Sequence, residues 1–569
     1  MKPDLSLQRH RLILVSLAFL FVATFLSLRL LQKQVFEHRT YAALAQDQQY
    51  QKIDLQGKRG QILVKDGPTG KQTYPLATNQ TMYALNLVPS QISDKRATAD
   101  KLAGPTELGS DYIHDQINNS RLYIPPVKRK MTYEEAERVG ELRLPGVFVL
   151  PEQNRFYPED GLAAQVLGFV NTEGKGQYGA ESYYDDILAG KSGSQGGAKN
   201  ASGDALALGG SSYAPPKDGD TVVLTIDRNV QFQAEQVLSN TITKHSATGG
   251  SLIVMDPKTG AIVAMASQPG FDPNRFASYS AEAYANQALA GAYEPGSTFK
   301  TIAMASALDA GAVTPNTTFN GTASVKVDDR EIFNSTKTAY GRETMTQVIE
   351  RSDNVGMVYV AKQLGGERLY DYIKKFGFGT PTGLELDGEV SPALAPVDEL
   401  GEVNFATMAF GQGISVTPMQ LLSGVNVLAN GGQLVQPHVL DQIQRRDGRV
   451  ENVGPKVVRQ VVSPQAASQI TGMMVRVTEV GAGKPAAVPG YRVAGKTGTA
   501  QIARAGGGGY EEGANIGNFV GYAPATDPKF VMMVRVDRPK GVVFAEESAA
   551  PAFGDMAKFL LKYYNVPPS

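Results

Sequence analysis

Three short segments of this chain carry residues that together could run serine acyl transfer: Ser297-Thr298-Phe299-Lys300, Ser352-Asp353-Asn354 and Lys496-Thr497-Gly498-Thr499. A serine hydroxyl is a poor nucleophile until a base takes its proton. Ser297 follows Glu294-Pro295-Gly296 and opens an apolar run, which predicts a helix N-terminus there. Lys300 is then one turn on, on the same face and within reach of the hydroxyl. An amine serves as base only when burial or a neighbouring cation stabilises its neutral form, and Lys496 is the candidate neighbour. The helix N-terminus adds a dipole that favours developing negative charge.

Each segment alone says little. Average composition yields roughly two Ser-x-x-Lys by chance in a chain this long, and a solitary one reads as a helix start with a surface lysine. Ser352-Asp353-Asn354 alone reads as a turn or cap, and Lys496-Thr497-Gly498-Thr499 as a strand running into a turn. All three in this order match the signature of the penicillin-recognising serine enzymes.

On these residues, residues 216–569 resemble the transpeptidase domain of the penicillin-binding proteins. The likeness extends through Tyr293-Glu-Pro-Gly-Ser-Thr-Phe-Lys300, Phe410-Gly-Gln-Gly-Ile-Ser-Val-Thr-Pro418 and Ala494-Gly-Lys-Thr-Gly-Thr-Ala500. The preceding part resembles the pedestal of the class B members, in Arg59-Gly60-Gln-Ile62, Asn154-Arg-Phe-Tyr-Pro158, Ala163-Ala-Gln-Val-Leu-Gly-Phe169 and Gly179-Ala-Glu181. Tyr293-Glu-Pro before the serine resembles the septal, division-type subgroup more than the elongation type.

The resemblance implies roles. Ser297 attacks the carbonyl of the penultimate D-Ala of a peptidoglycan stem peptide, and Lys300 accepts its proton. Ser352 passes a proton toward the leaving amine, and Asn354 holds Lys300 and the substrate amide. Lys496 supplies positive charge, while Thr497, Gly498 and Thr499 form the cradle for the terminal carboxylate. Backbone N–H groups of Ser297 and Thr499 form the oxyanion hole, at about 2.7–4 kcal/mol per donor in comparable sites. It further implies β-lactams as covalent inhibitors, and a SEDS-type membrane glycosyltransferase and division proteins as partners.

Rival readings share the three segments. A β-lactamase needs a carboxylate that activates water, and Glu389 lies at a tempting distance, although Leu384-Glu-Leu-Asp-Gly-Glu389 resembles a turn common in the transpeptidases. A D,D-carboxypeptidase would use the same site with water as acceptor. A non-enzymatic β-lactam sensor needs a cytoplasmic signalling segment, for which residues 1–11 leave little room. A bifunctional synthase is disfavoured because the first part shows no glycosyltransferase pattern.

The elements that position these residues begin with an anchor. Leu12 to Leu28 is apolar and free of charge, followed by Arg29, Leu30 and Leu31. At ~1.5 Å per residue, residues 12–31 span roughly 30 Å, one hydrocarbon core. Lys2, Arg9 and Arg11 favour a cytoplasmic tail over residues 1–11, placing the catalytic part outside the inner membrane. A cleaved leader is the weaker alternative, because Ala43-Leu44-Ala45 lies well past the apolar run.

Residues 32–215 are expected to form an elongated mixed pedestal or dimerisation-type domain. It starts with a helix continuing from Gln32 to Gln51, includes strands at Gln61–Val64 and Met82–Leu87 and a helix at Thr132–Leu142, and ends in a Gly/Ser-rich linker from Gly190 to Ser212. In residues 216–569, Thr221–Ile226 reads as a strand, Val230–His245 as an amphipathic helix and Ser251–Ser267 as a hairpin. Helices follow at Phe299–Ala310, Met345–Leu364 and Thr417–Asn430. Strands at Asn518–Ala523 and Phe530–Val536 precede a final helix from Ala552 to Tyr563. Strands at both ends of a helical middle predict an α+β domain whose terminal segments meet in one antiparallel sheet. Ala505 to Gly509 reads as a loop beside the cleft.

Composition closes off other chemistries. There are no cysteines, which excludes disulfides, a thiol nucleophile and a Cys-ligated zinc. The five histidines, His10, His38, His114, His245 and His438, are not spaced as metal ligands, so no metal or cofactor is expected. A net charge of −1 gives no electrostatic reason to expect nucleic acid as a partner.

Overall fold

The computed structural model describes residues 5–39, 41, 50–55, 57–118, 124–198, 212–504 and 508–568, which fall into two compact units. The first unit comprises residues 1–58 and 190–218. Its helix, Leu5–Leu31, carries no charge on any side from Leu12 to Leu28, where Leu12, Leu20 and Phe21 are 67%, 64% and 73% exposed. No soluble face explains such a helix, and the segment Leu12–Phe36 is long and apolar enough to cross a membrane.

Two expectations for this unit are corrected. The helix does not continue to Gln51: a π-helical turn, Gln32–Phe36, interrupts it, residues 38, 39 and 41 are helical again, residues 42–49 lie outside the described residues, and Tyr50–Leu55 is a strand. Ile53 and Leu55 alternate there with Lys52 and Asp54, the period of a strand. Ala43-Leu44-Ala45 lies outside the described residues. The flanks of the Gly/Ser-rich stretch are strands as well, Gly193–Ala198 and Ser212–Ala214, and with Tyr50–Leu55 they form a three-stranded antiparallel sheet. Glycine serves close approach here, since a Cβ on Gly193 would meet the Ala214 carbonyl at 2.3 Å. Residues 199–211 lie outside the described residues.

The second unit comprises residues 59–189 and 219–569. A seven-stranded sheet joins its early and late segments. Thr221–Asp227 pairs in parallel with Ile62–Asp66 on one side and antiparallel with Leu440–Gln444 on the other. Ile62–Asp66 continues into Gln72–Leu87, which carries Lys128–Met131 and Val147–Phe156. Helices Lys95–Thr106, Ser110–Ile117 and Tyr133–Glu141 cover that end through Leu102, Ile113, Ile117 and Val139, packed on Leu85, Leu87 and Met131.

The motifs of the early segment converge on one buried carboxylate. Glu181, with no side-chain exposure, takes Arg59 Nε at 2.7 Å, Arg155 Nε at 2.6 Å and the Tyr157 hydroxyl at 3.2 Å. Residues distant in sequence are thereby pinned together.

A five-stranded antiparallel sheet runs Ile262–Gln268, Gly249–Met255, Phe530–Asp537, Tyr510–Ala523, Ala494–Ala503 in spatial order. The terminal segments therefore meet as expected, the last strands closing against the early hairpin. Successive residues of a strand face opposite sides, and the uninterrupted run Leu252-Ile253-Val254-Met255 serves two cores. Leu252 and Val254 pack with Val230, Ala234, Phe553 and Met556 of helices Arg228–Lys244 and Ala549–Tyr563. Ile253 and Met255 belong to the larger core with Phe299, Ile302 and Met304 of the helical layer.

Candidate active site

A 3-10 turn, Gly296–Phe299, precedes the helix Lys300–Asp309, so Ser297 sits on the turn and Lys300 opens the α-helix. Gly296 has φ 58°, and a Cβ there would lie 2.9 Å from the Thr499 carbonyl. This places the turn against the edge strand Ala494–Ala503. Gly498 permits the same approach from the strand: its Cβ would meet Asn518 Oδ1 at 2.7 Å and the Pro295 carbonyl at 2.8 Å.

The helix expected over Met345–Leu364 is two helices, Met345–Arg351 and Asn354–Leu364, broken at the second motif. Ser352 adopts the left-handed conformation, φ 59°, at an ordinary cost of about 1–2 kcal/mol for a non-glycine residue. Asp353 caps the second helix by accepting from Gly356 N at 2.6 Å. Asn334 receives the backbone N–H groups of Asn354 and Val355 at 2.9 and 3.2 Å. The break turns Ser352 and Asn354 toward the lysines.

Lys300 and Lys496 are both fully buried. Lys300 Nζ contacts the Ser352 carbonyl at 2.6 Å, Asn354 Oδ1 at 2.7 Å and Ser352 Oγ at 3.2 Å. The Asn354 amide donates its NH₂ to the Phe333 carbonyl at 2.9 Å, which fixes Oδ1 toward the lysine. Lys496 Nζ reaches Ser352 Oγ at 3.0 Å and the Thr497 carbonyl at 3.1 Å. Three segments far apart in the chain thus meet at one hydroxyl. Ser297, half-buried, lies on the adjoining turn, and among the described residues no hydrogen bond joins its hydroxyl to Lys300.

Electrostatics separates the two amines. Burial drives Lys300 well below the ordinary lysine value, and the Lys496 charge lowers it further, while Asp353 acts in the opposite direction. Burial also lowers Lys496, to about 7, with Glu546 opposing. A neutral Lys300 has two protons, matched by the two carbonyl-type acceptors at 2.6 and 2.7 Å. Its lone pair is then left for a hydroxyl proton.

Thr499 Oγ accepts from Ala545 N at 3.1 Å, leaving its own hydrogen free to donate. Thr497 and Thr499, two apart on a strand, share a face. Among the described residues no group of His, Asp or Glu is arranged to hold a metal ion.

Glu389 is placed away from this chemistry. Its carboxylate accepts from Thr382 N and Oγ at 2.7 and 2.6 Å and from Gly383 N at 3.2 Å, closing a turn. Several supporting contacts had no signal in the sequence. Glu294 accepts from Gly413 N at 2.9 Å and the Tyr510 hydroxyl at 3.0 Å, and Asn518 donates to the Pro295 carbonyl at 3.3 Å. Their partners are brought near only by the tertiary fold.

Comparison with known proteins identifies the domains of the chain. Residues 250–558 match the model of the penicillin binding protein transpeptidase domain, and residues 54–224 that of the penicillin-binding protein dimerisation domain. The chain is 35% identical to the stage V sporulation protein D of Bacillus subtilis, over 98% of this chain and 86% of that protein. It is 32% identical to the probable peptidoglycan D,D-transpeptidase PbpC of Pseudomonas aeruginosa, over 99% and 96%. Among solved structures, penicillin binding protein 2X of Streptococcus thermophilus superposes with a TM-score of 0.76 at 25% identity, over 91% of this chain and 81% of that one.

Proposed function

The chain belongs to the class B penicillin-binding proteins, a family of peptidoglycan D,D-transpeptidases, and we propose that it cross-links stem peptides during septal wall synthesis through an acyl-enzyme on Ser297. The observation that carries this reading is the Ser352 hydroxyl held between two buried lysines of unequal basicity, beside the Ser297 turn.

In this reading neutral Lys300 takes the Ser297 proton as Oγ attacks the penultimate D-Ala carbonyl. Charged Lys496 and the Thr497 and Thr499 hydroxyls hold the terminal carboxylate. The N–H groups of Ser297 and Thr499 receive the oxyanion. Ser352, bonded to both amines, hands a proton to the departing D-Ala nitrogen as the C–N bond breaks. An amine of a second stem peptide then attacks the ester, its proton returns through the same groups, and Ser297 is freed. A β-lactam enters the first half-reaction and stays attached.

The division role rests on Tyr293-Glu294-Pro295. The Bacillus subtilis relative carries a sporulation name, so the site of wall synthesis is tested separately, by following where new wall is inserted on depletion. Anchoring through residues 12–31 in the cytoplasmic membrane is supported by the one helix, among the described residues, long and apolar enough to cross it, and placement of the catalytic part outside by Lys2, Arg9 and Arg11 ahead of it. Glycan polymerisation falls to a SEDS-type glycosyltransferase working beside this chain. The deciding experiment is mass spectrometry after exposure to a labelled penicillin. One adduct is expected on the peptide holding Ser297, and none in Ser297→Ala; label on another serine refutes the mechanism.

A further inference from the structure

The middle residue of the second motif has no part in the chemistry above, yet its surroundings are unusual. Asp353 and Glu343 are each 1% exposed. Asp353 Oδ1 caps the helix through Gly356 N at 2.6 Å, and Glu343 Oε2 faces Arg351 Nη1 at 3.4 Å. Their other oxygens, Asp353 Oδ2 and Glu343 Oε1, are buried and have no hydrogen-bond donor among the described residues. Both open onto one spot: a Cβ on Gly321 would lie 2.9 Å from Glu343 Oε1 and 3.4 Å from Asp353 Oδ2. Two buried carboxylate oxygens cannot stay side by side without a proton between them.

We propose that Glu343 is a positioning residue, whose carboxyl group keeps its proton at neutral pH and donates it to Asp353 Oδ2, fixing the Ser352–Asn354 turn against Lys300. Burial, followed by the hydrogen bond to Asp353 and its charge, pushes Glu343 far above the usual carboxylate range, while Arg351 opposes the shift. The charged groups facing the pair are Arg351 from the helix before the break and Lys300 from the opposite helix, which in turn faces Lys496. Losing the proton has two effects in the same direction. It adds a second negative charge beside Asp353, whose own charge already favours the Lys300 ammonium over the amine that acts as base. It also sets the two oxygens in repulsion at the turn that delivers Ser352 and Asn354.

The inference rests on the acylation reading of the site, and its test separates the two. Glu343→Gln keeps an N–H donor toward Asp353 Oδ2 but cannot titrate; Glu343→Ala removes the donor. With the full chain in detergent, acylation by a fluorescent penicillin is followed from mildly acidic to mildly alkaline pH. At neutral pH the glutamine variant is expected within about threefold of the unsubstituted chain, and the alanine variant at least tenfold slower. The rate of the glutamine variant relative to the unsubstituted chain should rise as pH becomes alkaline. The infrared difference spectrum between these two chains should show one protonated-carboxyl band at neutral pH that fades on alkalinisation. Absence of that band, a pH-independent rate ratio, or a glutamine variant as slow as the alanine variant overturns the proposal. If the unsubstituted chain is not acylated at all, the transpeptidase reading fails, and the infrared band alone decides the carboxyl pair.

Discussion

Lys300 and Lys496 share one hydroxyl: their Nζ atoms lie 3.2 and 3.0 Å from Ser352 Oγ. Two ammonium groups cannot be held so close in a buried site without cost: burial lowers both amines, and the Lys496 charge lowers Lys300 as well. Acylation then needs neutral Lys300 and charged Lys496. Its rate should fall on the acid side as Lys300 is protonated, and on the alkaline side as pH passes about 7, where Lys496 loses its proton. Lys496→Arg keeps a charge that does not titrate, so in whatever activity survives the alkaline fall should vanish. Second-order acylation rates across pH check this.

The same lysine carries a stability cost with a defined sign. Lys496 is lowered to about 7 in the folded chain from an ordinary value of 10.5, so across that window the unfolded state binds the extra proton. Stability should therefore rise with pH through the window, and the penalty is fully present below it. Lys496→Met is expected to raise stability in mildly acid solution by about 1–4 kcal/mol while abolishing acylation. Denaturant unfolding of both chains at two pH values tests it.

Lys300→Arg retains a cation and forfeits an amine that can be neutral. Acylation by a labelled penicillin should fall by roughly 10²–10⁴, the usual worth of a positioned base. Near-normal rates would move the base to another group.

Much of this site was readable from residue types and order, because Ser297, Lys300, Ser352, Asn354 and Lys496 carry chemistry that few other arrangements need. Glu343 and Asn334 were not readable. A buried acid on a short strand and an asparagine in a loop have no local pattern, and their meaning comes from facing the broken helix. The break itself was hidden too: Met345 to Leu364 keeps an apolar helical pattern across Ser352, whose left-handed backbone is imposed by its surroundings. The terminal strands were legible because their apolar runs are continuous and flanked by turns. Pairing of Gly193–Ala198 with Tyr50–Leu55 was not, since a glycine-rich strand has no alternation to read.

Glu181 is the place where the early motifs are tested. Glu181→Ala leaves Arg155 buried without its counter-charge and Arg59 with Asp185 alone. Breaking a buried pair from one side costs about 3–5 kcal/mol, so a lower unfolding temperature is expected, with acylation per folded molecule unchanged. Calorimetry with penicillin titration measures both.

A chain beginning at Pro216 keeps all three motifs but loses Ile62–Asp66, the parallel partner of Thr221–Asp227. Val222, Leu224 and Ile226, each fully buried in the intact chain, would lose the covering supplied by Ile62, Val64 and Leu167. That truncation is expected to aggregate and bind little penicillin, whereas a chain beginning at Gly57 should be soluble and acylated. Size-exclusion chromatography with a labelled penicillin distinguishes them.

The spatial order of the catalytic sheet also dictates a timetable. Gly249–Met255 lies between Ile262–Gln268, which follows it at once, and Phe530–Asp537, which is made near the end of the chain. At about 5–20 residues per second, the nascent hairpin waits on the order of tens of seconds with one long apolar edge unpaired. An unpaired edge of that kind invites strand addition from any other chain. The helix Arg228–Lys244, synthesised just before the hairpin, packs on one face of it, but nothing made early can occupy the edge itself. The growing polypeptide is thus most vulnerable to aggregation before Phe530 emerges, and ribosome stalling anywhere in the helical middle would leave a protein with its serine and first lysine made and its sheet open.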